Sequence, residues 1–297
     1  MASESAGRAI RVIAGLVLVL ALACRSAAAQ SHSPVQSRFF VTSDGVRLHY
    51  LEAGPRRAET IVLVPGWTMP AWIWGPQISA FSHAYHVVAF DPRGQGDSEI
   101  AFSGYEPRRR GRDIGELIAA LHTDPVLLVA WSLGVLDTLA YIRNEGDGQI
   151  AGFVLVDNSV GEEPAPSPPP APRRRGPRLT HDEYMRRFVR SMFRKPQSED
   201  YLEMLIDATL RTPQYASAAL LSYPVPRSYW RDSLYSTAKP VLYAVRPAFA
   251  AQAQNLEHGR PGTEIAVFAD AGHALFVDDA SRFNALVQDF IRRRVWP

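Results

Sequence analysis

Residues 127–136 read LLVAWSLGVL. Leu127, Leu128 and Val129 are apolar without alternation, and apolar residues resume at Val135. One serine, Ser132, interrupts them, with Ala130 two places before it and Gly134 two places after. An unbroken apolar run of this length suits a strand buried on both faces. The following LGVLDTLAYIRN suits a helix, so Ser132 falls on a strand-to-helix turn. A sharp turn there lifts the hydroxyl out of the top of a sheet and crowds the strand against the helix. Small residues on either side relieve that crowding, the pattern G-x-S-x-G with alanine in first place. A helix N-cap is the plainer reading of the serine, but it leaves Ala130 and Gly134 without a reason.

Outward from this turn, short apolar and β-branched runs recur: TIVLVPG (60–66), HVVAFD (86–91), PVLLVAW (125–131), GFVLVD (152–157), PVLYAV (240–245) and TEIAVFA (263–269). RFFVTSDGVRLHYLEAG (38–54) alternates around Asp44-Gly45, a hairpin signal. Helical stripes lie between most of the runs. Residues 109–123 align Ile114, Leu117, Ile118 and Leu121, and residues 281–294 align Phe283, Leu286, Val287, Phe290 and Ile291. Strand alternating with helix predicts an α/β fold with a mostly parallel sheet covered on both faces. The alternation stops over 160–237. EEPAPSPPPAPRRRGP (162–177) reads as a stiff exposed linker, and helical pieces at 181–193, 198–212, 213–223 and 226–236 read as an insertion between two late strands.

In this setting the chain resembles the α/β-hydrolase fold family over residues 38–297, as a serine hydrolase or esterase-like member with a helical cap. Four segments carry the resemblance in chain order. They are Val64-Pro65-Gly66-Trp67, the loop Asp91-Pro92-Arg93-Gly94-Gln95-Gly96-Asp97-Ser98, the Ser132 turn, and Ala271-Gly272-His273 after the last strand. The implied domain plan is a core over 30–159 and 238–297, with the cap over 160–237.

A serine hydroxyl needs a base to remove its proton as it attacks. His273 is the expected base: it stands at a strand end beside glycine, a setting the other seven histidines lack. The base needs a carboxylate to orient it. The family commonly carries this acid after the strand that is PVLYAV here, but RPAFAAQAQNLEHGRP holds only Glu257. Some members place it one strand earlier, where this chain has Asp157, and Asp157 is the expected acid. Asp137 should point away behind the serine, Asp270 lies too close to His273, and Asp207 and Asp232 sit in the insertion. The resemblance implies an oxyanion hole from the backbone N–H groups of Leu133 and Trp67. Pro65 replaces the family's usual histidine and brings no N–H of its own.

The expected reaction is hydrolysis of a carboxylic ester of a small to medium, partly apolar substrate through an acyl-enzyme, with no cofactor and no metal. Trp67 and Trp131 are expected to line the pocket. Trp72, Trp74, Phe188, Met192, Phe193, Met204 and Tyr223 fit a core role better. The alternatives are another bond for the same triad (amide, lactone, carbon–carbon, or perhydrolysis) or a binding protein that has lost turnover. A serine nucleophile argues against epoxide hydrolase or dehalogenase chemistry, which uses aspartate there.

The 297 residues are 46% hydrophobic and 21% charged, a globular composition. The net charge of +2 gives no field for nucleic acid. Arginine clusters at 108–110, 173–175 and 292–294 read as solvated faces, helix ends or linker charge. Arg8 and Arg11 precede an apolar run at 12–24 and Ala27-Ala28-Ala29, the pattern of a signal peptide cleaved after Ala29. This predicts a secreted or periplasmic protein with no membrane span. Ala21-Leu22-Ala23-Cys24 loosely resembles a lipobox, the competing reading. Cys24 is the sole cysteine, so no internal disulfide can form.

Overall fold

The computed structural model describes residues 34–123, 125–165 and 179–297. The segment expected to be a signal peptide, Cys24, His32, the 173–175 arginines and most of the proline-rich linker lie outside the described residues.

Eight strands form one sheet in the order β1-β2-β4-β3-β5-β6-β7-β8. They are β1 Gln36–Val41, β2 Arg47–Ala53, β3 Thr60–Val64, β4 His86–Asp91, β5 Val126–Trp131, β6 Ile150–Val156, β7 Val241–Val245 and β8 Glu264–Val267. β1 and β2 form the hairpin expected around Asp44-Gly45, and β2 pairs antiparallel with β4. Every later pairing is parallel. Every residue of β3, β4, β5 and β7 is buried, because helices cover both faces. That is why these strands read as apolar runs rather than as alternations.

One apolar layer packs α2 (Pro107–Leu121) and α3 (Leu133–Glu145) on the sheet through Ile114, Leu117, Leu136 and Leu139. The other packs α1 (Gly75–Phe81) and α10 (Ala280–Phe290) through Ile78, Phe81, Phe283 and Val287. Between β6 and β7 the chain forms the four cap helices α4 (His181–Ser191), α5 (Glu199–Leu210), α6 (Gln214–Leu220) and α7 (Arg227–Tyr235). Thr180 and Glu183 close a capping box at the start of α4. Two helices near the C-terminal strands, α8 (Ala250–Gly259) and α9 (Leu275–Asp278), complete the order. Among the described residues no helix is long and apolar enough to cross a membrane.

Arg110 departs from the solvated role expected of its cluster. Arg110 is buried between α2 and α3, with Nε 3.0 Å from Asp137 Oδ1, and its Nη1 donates to the Leu220 carbonyl of α6 at 2.6 Å. On an amphipathic helix the positions flanking the apolar stripe are buried only when another element docks there. Here the cap does so.

Candidate active site

Parallel pairing aligns the C-terminal ends of β3, β5, β6, β7 and β8 along one rim. Ala130 of β5 lies opposite Val64 of β3 and Leu155 of β6, and Val156 lies opposite Ala244 of β7. The segments that follow these strands therefore emerge side by side: Gly66-Trp67, Ser132, Asp157, Arg246 and the His273 loop. Ligands of parallel α/β sheets bind at this end of the strands.

Ser132 makes the sharp turn between β5 and α3 with φ +54° and ψ −120°, a strained conformation for a residue with a β-carbon. Its N–H donates to the Val156 carbonyl at 2.9 Å. Although it stands at the N-cap, its hydroxyl caps nothing. It meets His273 Nε2 at 2.9 Å instead. Gly134 is required by the crowding expected from sequence: a β-carbon there would fall 2.6 Å from the Pro65 carbonyl oxygen and 2.7 Å from that of Val64. One on Gly66 would fall 2.9 Å from Ser132 Cβ. The loop after β3 thus lies directly against the serine turn.

His273 Nδ1 lies 2.6 Å from Asp157 Oδ2. Asp157 also carries positive φ, +48°, and its side chain is wholly buried. It accepts two further bonds from Arg246, from the backbone N–H to Oδ1 at 2.9 Å and from Nε to Oδ2 at 2.6 Å. Ser132, His273 and Asp157 therefore form one hydrogen-bonded chain in which the imidazole tautomer is set by its carboxylate partner. The other acids weighed from sequence lie elsewhere. Asp137 pairs with Arg110, Asp232 with Arg231, and Asp207, Glu257 and Asp270 are exposed.

Neither the Trp67 nor the Leu133 backbone N–H has an acceptor among the described residues. The Trp67 loop is shaped by Gln95 of the glycine-rich loop after β4, which sequence reading did not single out. Gln95 accepts from the Thr68 N–H and donates to the Gly66 carbonyl at 3.2 Å. Thr68 is held at φ +59°. Asp91 and Arg93 of the same loop face inward. Asp91 accepts from the Ala71 N–H and from His49, and Arg93 forks onto Asp113.

Trp131 does not line a pocket. It is buried, and its indole N–H donates to the His273 carbonyl at 2.8 Å. Asp278, at the end of α9, accepts from the Gly272 N–H at 2.7 Å and from the Arg194 N–H of the cap at 2.7 Å. The histidine loop is thus fastened on one side to the sheet and on the other to the cap. Trp67 is also mostly buried, with its indole donating to the Ser217 carbonyl of α6 at 2.8 Å and Phe188 of α4 edge-on at 5.0 Å. Trp74, stacked on Phe276, and Met192 are core, as expected, whereas Met204 and Tyr223 are exposed.

A model of the alpha/beta hydrolase family matches residues 61–286. Among curated proteins, a non-heme chloroperoxidase of Streptomyces lividans is 33% identical over 116 residues, 39% of this chain and 42% of that protein. A soluble epoxide hydrolase of Corynebacterium sp. (strain C12) is 34% identical over 100 residues, 33% of this chain and 34% of that protein. The matched regions therefore span less than half of these relatives. Among solved structures, esterase RhEst1 from Rhodococcus sp. ECU1013 superposes with a TM-score of 0.73 at 24% identity, covering 87% of this chain and 99% of that one.

Proposed function

Given that the chain belongs to the alpha/beta hydrolase family, we propose that it hydrolyses carboxylic esters of small, partly apolar molecules through an acyl-enzyme on Ser132. The observation that carries this reading is the unbroken chain Ser132 Oγ–His273 Nε2–His273 Nδ1–Asp157 Oδ2, at 2.9 and 2.6 Å. With Nδ1–H donating to the buried carboxylate, Nε2 keeps its lone pair and accepts the serine proton.

Each step follows from that tautomer. Ser132 Oγ attacks the ester carbonyl carbon as its proton passes to His273 Nε2. The carbonyl oxygen gains the electron pair, and the N–H groups of Leu133 and Trp67, which have no acceptor among the described residues, are the donors that would receive it. The imidazolium, balanced by Asp157, gives its proton to the leaving alkoxide, and an ester to Ser132 remains. Water then attacks with Nε2 as base, releasing the acid and restoring the serine. Trp131 and Asp278 hold the histidine loop, and Gln95 holds the Trp67 loop.

The curated relatives' names span chloroperoxidase and epoxide hydrolase. Serine at the strand-to-helix turn supports ester chemistry over epoxide opening, which in related enzymes proceeds through aspartate. The test is turnover of p-nitrophenyl esters of increasing acyl length by the native protein and its Ser132→Ala variant. Cleavage lost in the variant is the expected result. Cleavage retained in Ser132→Ala, or no fluorophosphonate labelling of Ser132 in the native protein, overturns the reading.

A further inference from the structure

The residue directly after β7 is Arg246, in the place where the family more commonly carries its acid. Two of its donors are spent on Asp157, the backbone N–H and Nε. The two terminal nitrogens are not. Nη2 lies 3.4 Å from His273 Nδ1. That ring nitrogen already carries the proton it donates to Asp157, so it has no lone pair for the guanidinium. Nη1 has no acceptor among the described residues. The side chain is 33% exposed, beside a His273 side chain that is 21% exposed.

A guanidinium offers five N–H donors in a rigid fork matched to a carboxylate. Here Nε is fixed on a buried carboxylate, the side chain remains one-third exposed, and Nη2 stands across the His273 ring from the Ser132 hydroxyl. The contact with Asp157 removes the freedom a surface arginine would lose on binding, so the remaining N–H donors are pre-organised. Asp157 alone would need no arginine to stay hydrogen-bonded, since His273 and a backbone N–H already reach both of its oxygens.

We infer that Arg246 is a substrate-binding residue that receives a carboxylate on the substrate, and that the preferred substrates are short esters bearing a second, free carboxylate. The inference rests on the serine-hydrolase reading and names the substrate class for that same site. With Nη2 3.4 Å from one nitrogen of the His273 ring and Ser132 Oγ 2.9 Å from the other, a bound carboxylate would lie only a few bonds from the scissile carbonyl, on the acyl or the alcohol side.

The test compares matched neutral and anionic esters: p-nitrophenyl pentanoate with mono-p-nitrophenyl glutarate, and 4-tolyl acetate with 4-acetoxybenzoate. Rates are corrected with Ser132→Ala. The native protein should favour the anionic member of at least one pair by about tenfold or more in kcat/KM, as charge-assisted hydrogen bonds allow. Arg246→Gln alters both members through Asp157, so the ratio is the readout. It should fall to near unity in Arg246→Gln and be intermediate in Arg246→Lys, which keeps the charge and loses the fork. A ratio near unity in the native protein, or one unchanged in Arg246→Gln, overturns the inference while neutral-ester turnover still stands. If no ester is cleaved, calorimetric titration of Ser132→Ala protein with glutarate and with pentanamide decides it without turnover. Glutarate should bind at least tenfold tighter, and that margin should vanish when Arg246→Gln is added. Equal affinities overturn it.

Discussion

Replacing Asp157 with asparagine tests the acid at atomic detail, because the structure fixes what each orientation of the amide would meet. The carboxylate is fully buried and faces three donors, two on Oδ2 (His273 Nδ1 and Arg246 Nε) and one on Oδ1, the Arg246 N–H. Asparagine has one oxygen and one amino group. With the oxygen toward the Arg246 N–H, the amino group meets two donors. The imidazole must then move its proton to Nε2, where it can no longer accept from Ser132. With the amide reversed, the tautomer survives, but a backbone N–H is opposed and the negative charge that balances the imidazolium is lost. Either arrangement raises the barrier. The equivalent substitution in Ser-His-Asp proteases, which leaves the wrong tautomer, lowers turnover about 10⁴-fold. We expect kcat to fall about 10³- to 10⁴-fold, roughly 4–5 kcal/mol of barrier, with KM little changed. One opposed buried donor also costs about 1–3 kcal/mol of stability, so the melting temperature should drop by several degrees. The assay is p-nitrophenyl ester turnover beside a thermal melt. A kcat within tenfold of the native value in a variant that melts normally would refute the assignment and mean that another group orients His273.

Two other perturbations have directions fixed by the structure. Gly134→Ala drives a β-carbon against two backbone carbonyls, Pro65 and Val64, neither of which can swing aside as a side chain would. About 1–3 kcal/mol of destabilisation and a lowered kcat are expected, and a urea melt superimposable on the native one would contradict this. Burial pushes the Asp137 carboxyl up to about 6, against the pull of Arg110. Because the folded value lies above the unfolded one, this residue's contribution is fully present below about pH 4 and is lost as pH rises through 6, by roughly 3 kcal/mol. The unfolding free energy of the native protein minus that of Asp137→Asn should therefore fall across that window. A difference that is flat or rises with pH would count against it.

How far the chain was legible follows from what each feature depends on. The buried strands could be read because helices on both faces demand apolar side chains at every position, a local signature. The Ser132 turn could be read because its crowding is local too, and it fixes residue size two places on either side. His273 and Asp157 stand at strand ends, so the strand pattern that located the strands located them as well. Arg110 was misjudged because its burial depends on the α6 helix of the cap, more than a hundred residues away. Trp131 was misjudged for a related reason. Its neighbours along the chain place it at the rim, but its indole is turned inward by the His273 carbonyl. Gln95 and Asp278 left no signal, since glutamine in a loop and aspartate before a helix are ordinary until their backbone partners are known.

The sequence by itself determined the layered fold, the strand-to-helix serine and the candidate histidine. Each rests on periodicity or on sterics among residues close along the chain. Only the tertiary structure decided that Asp157 rather than another acid meets His273, that Arg246 shares that carboxylate, and that cap carbonyls anchor Trp67 and Arg110. Those contacts join residues from separate strands and helices. Their geometry is set by how neighbouring strand ends align and how the cap docks, and neither quantity is written in any local stretch of the chain.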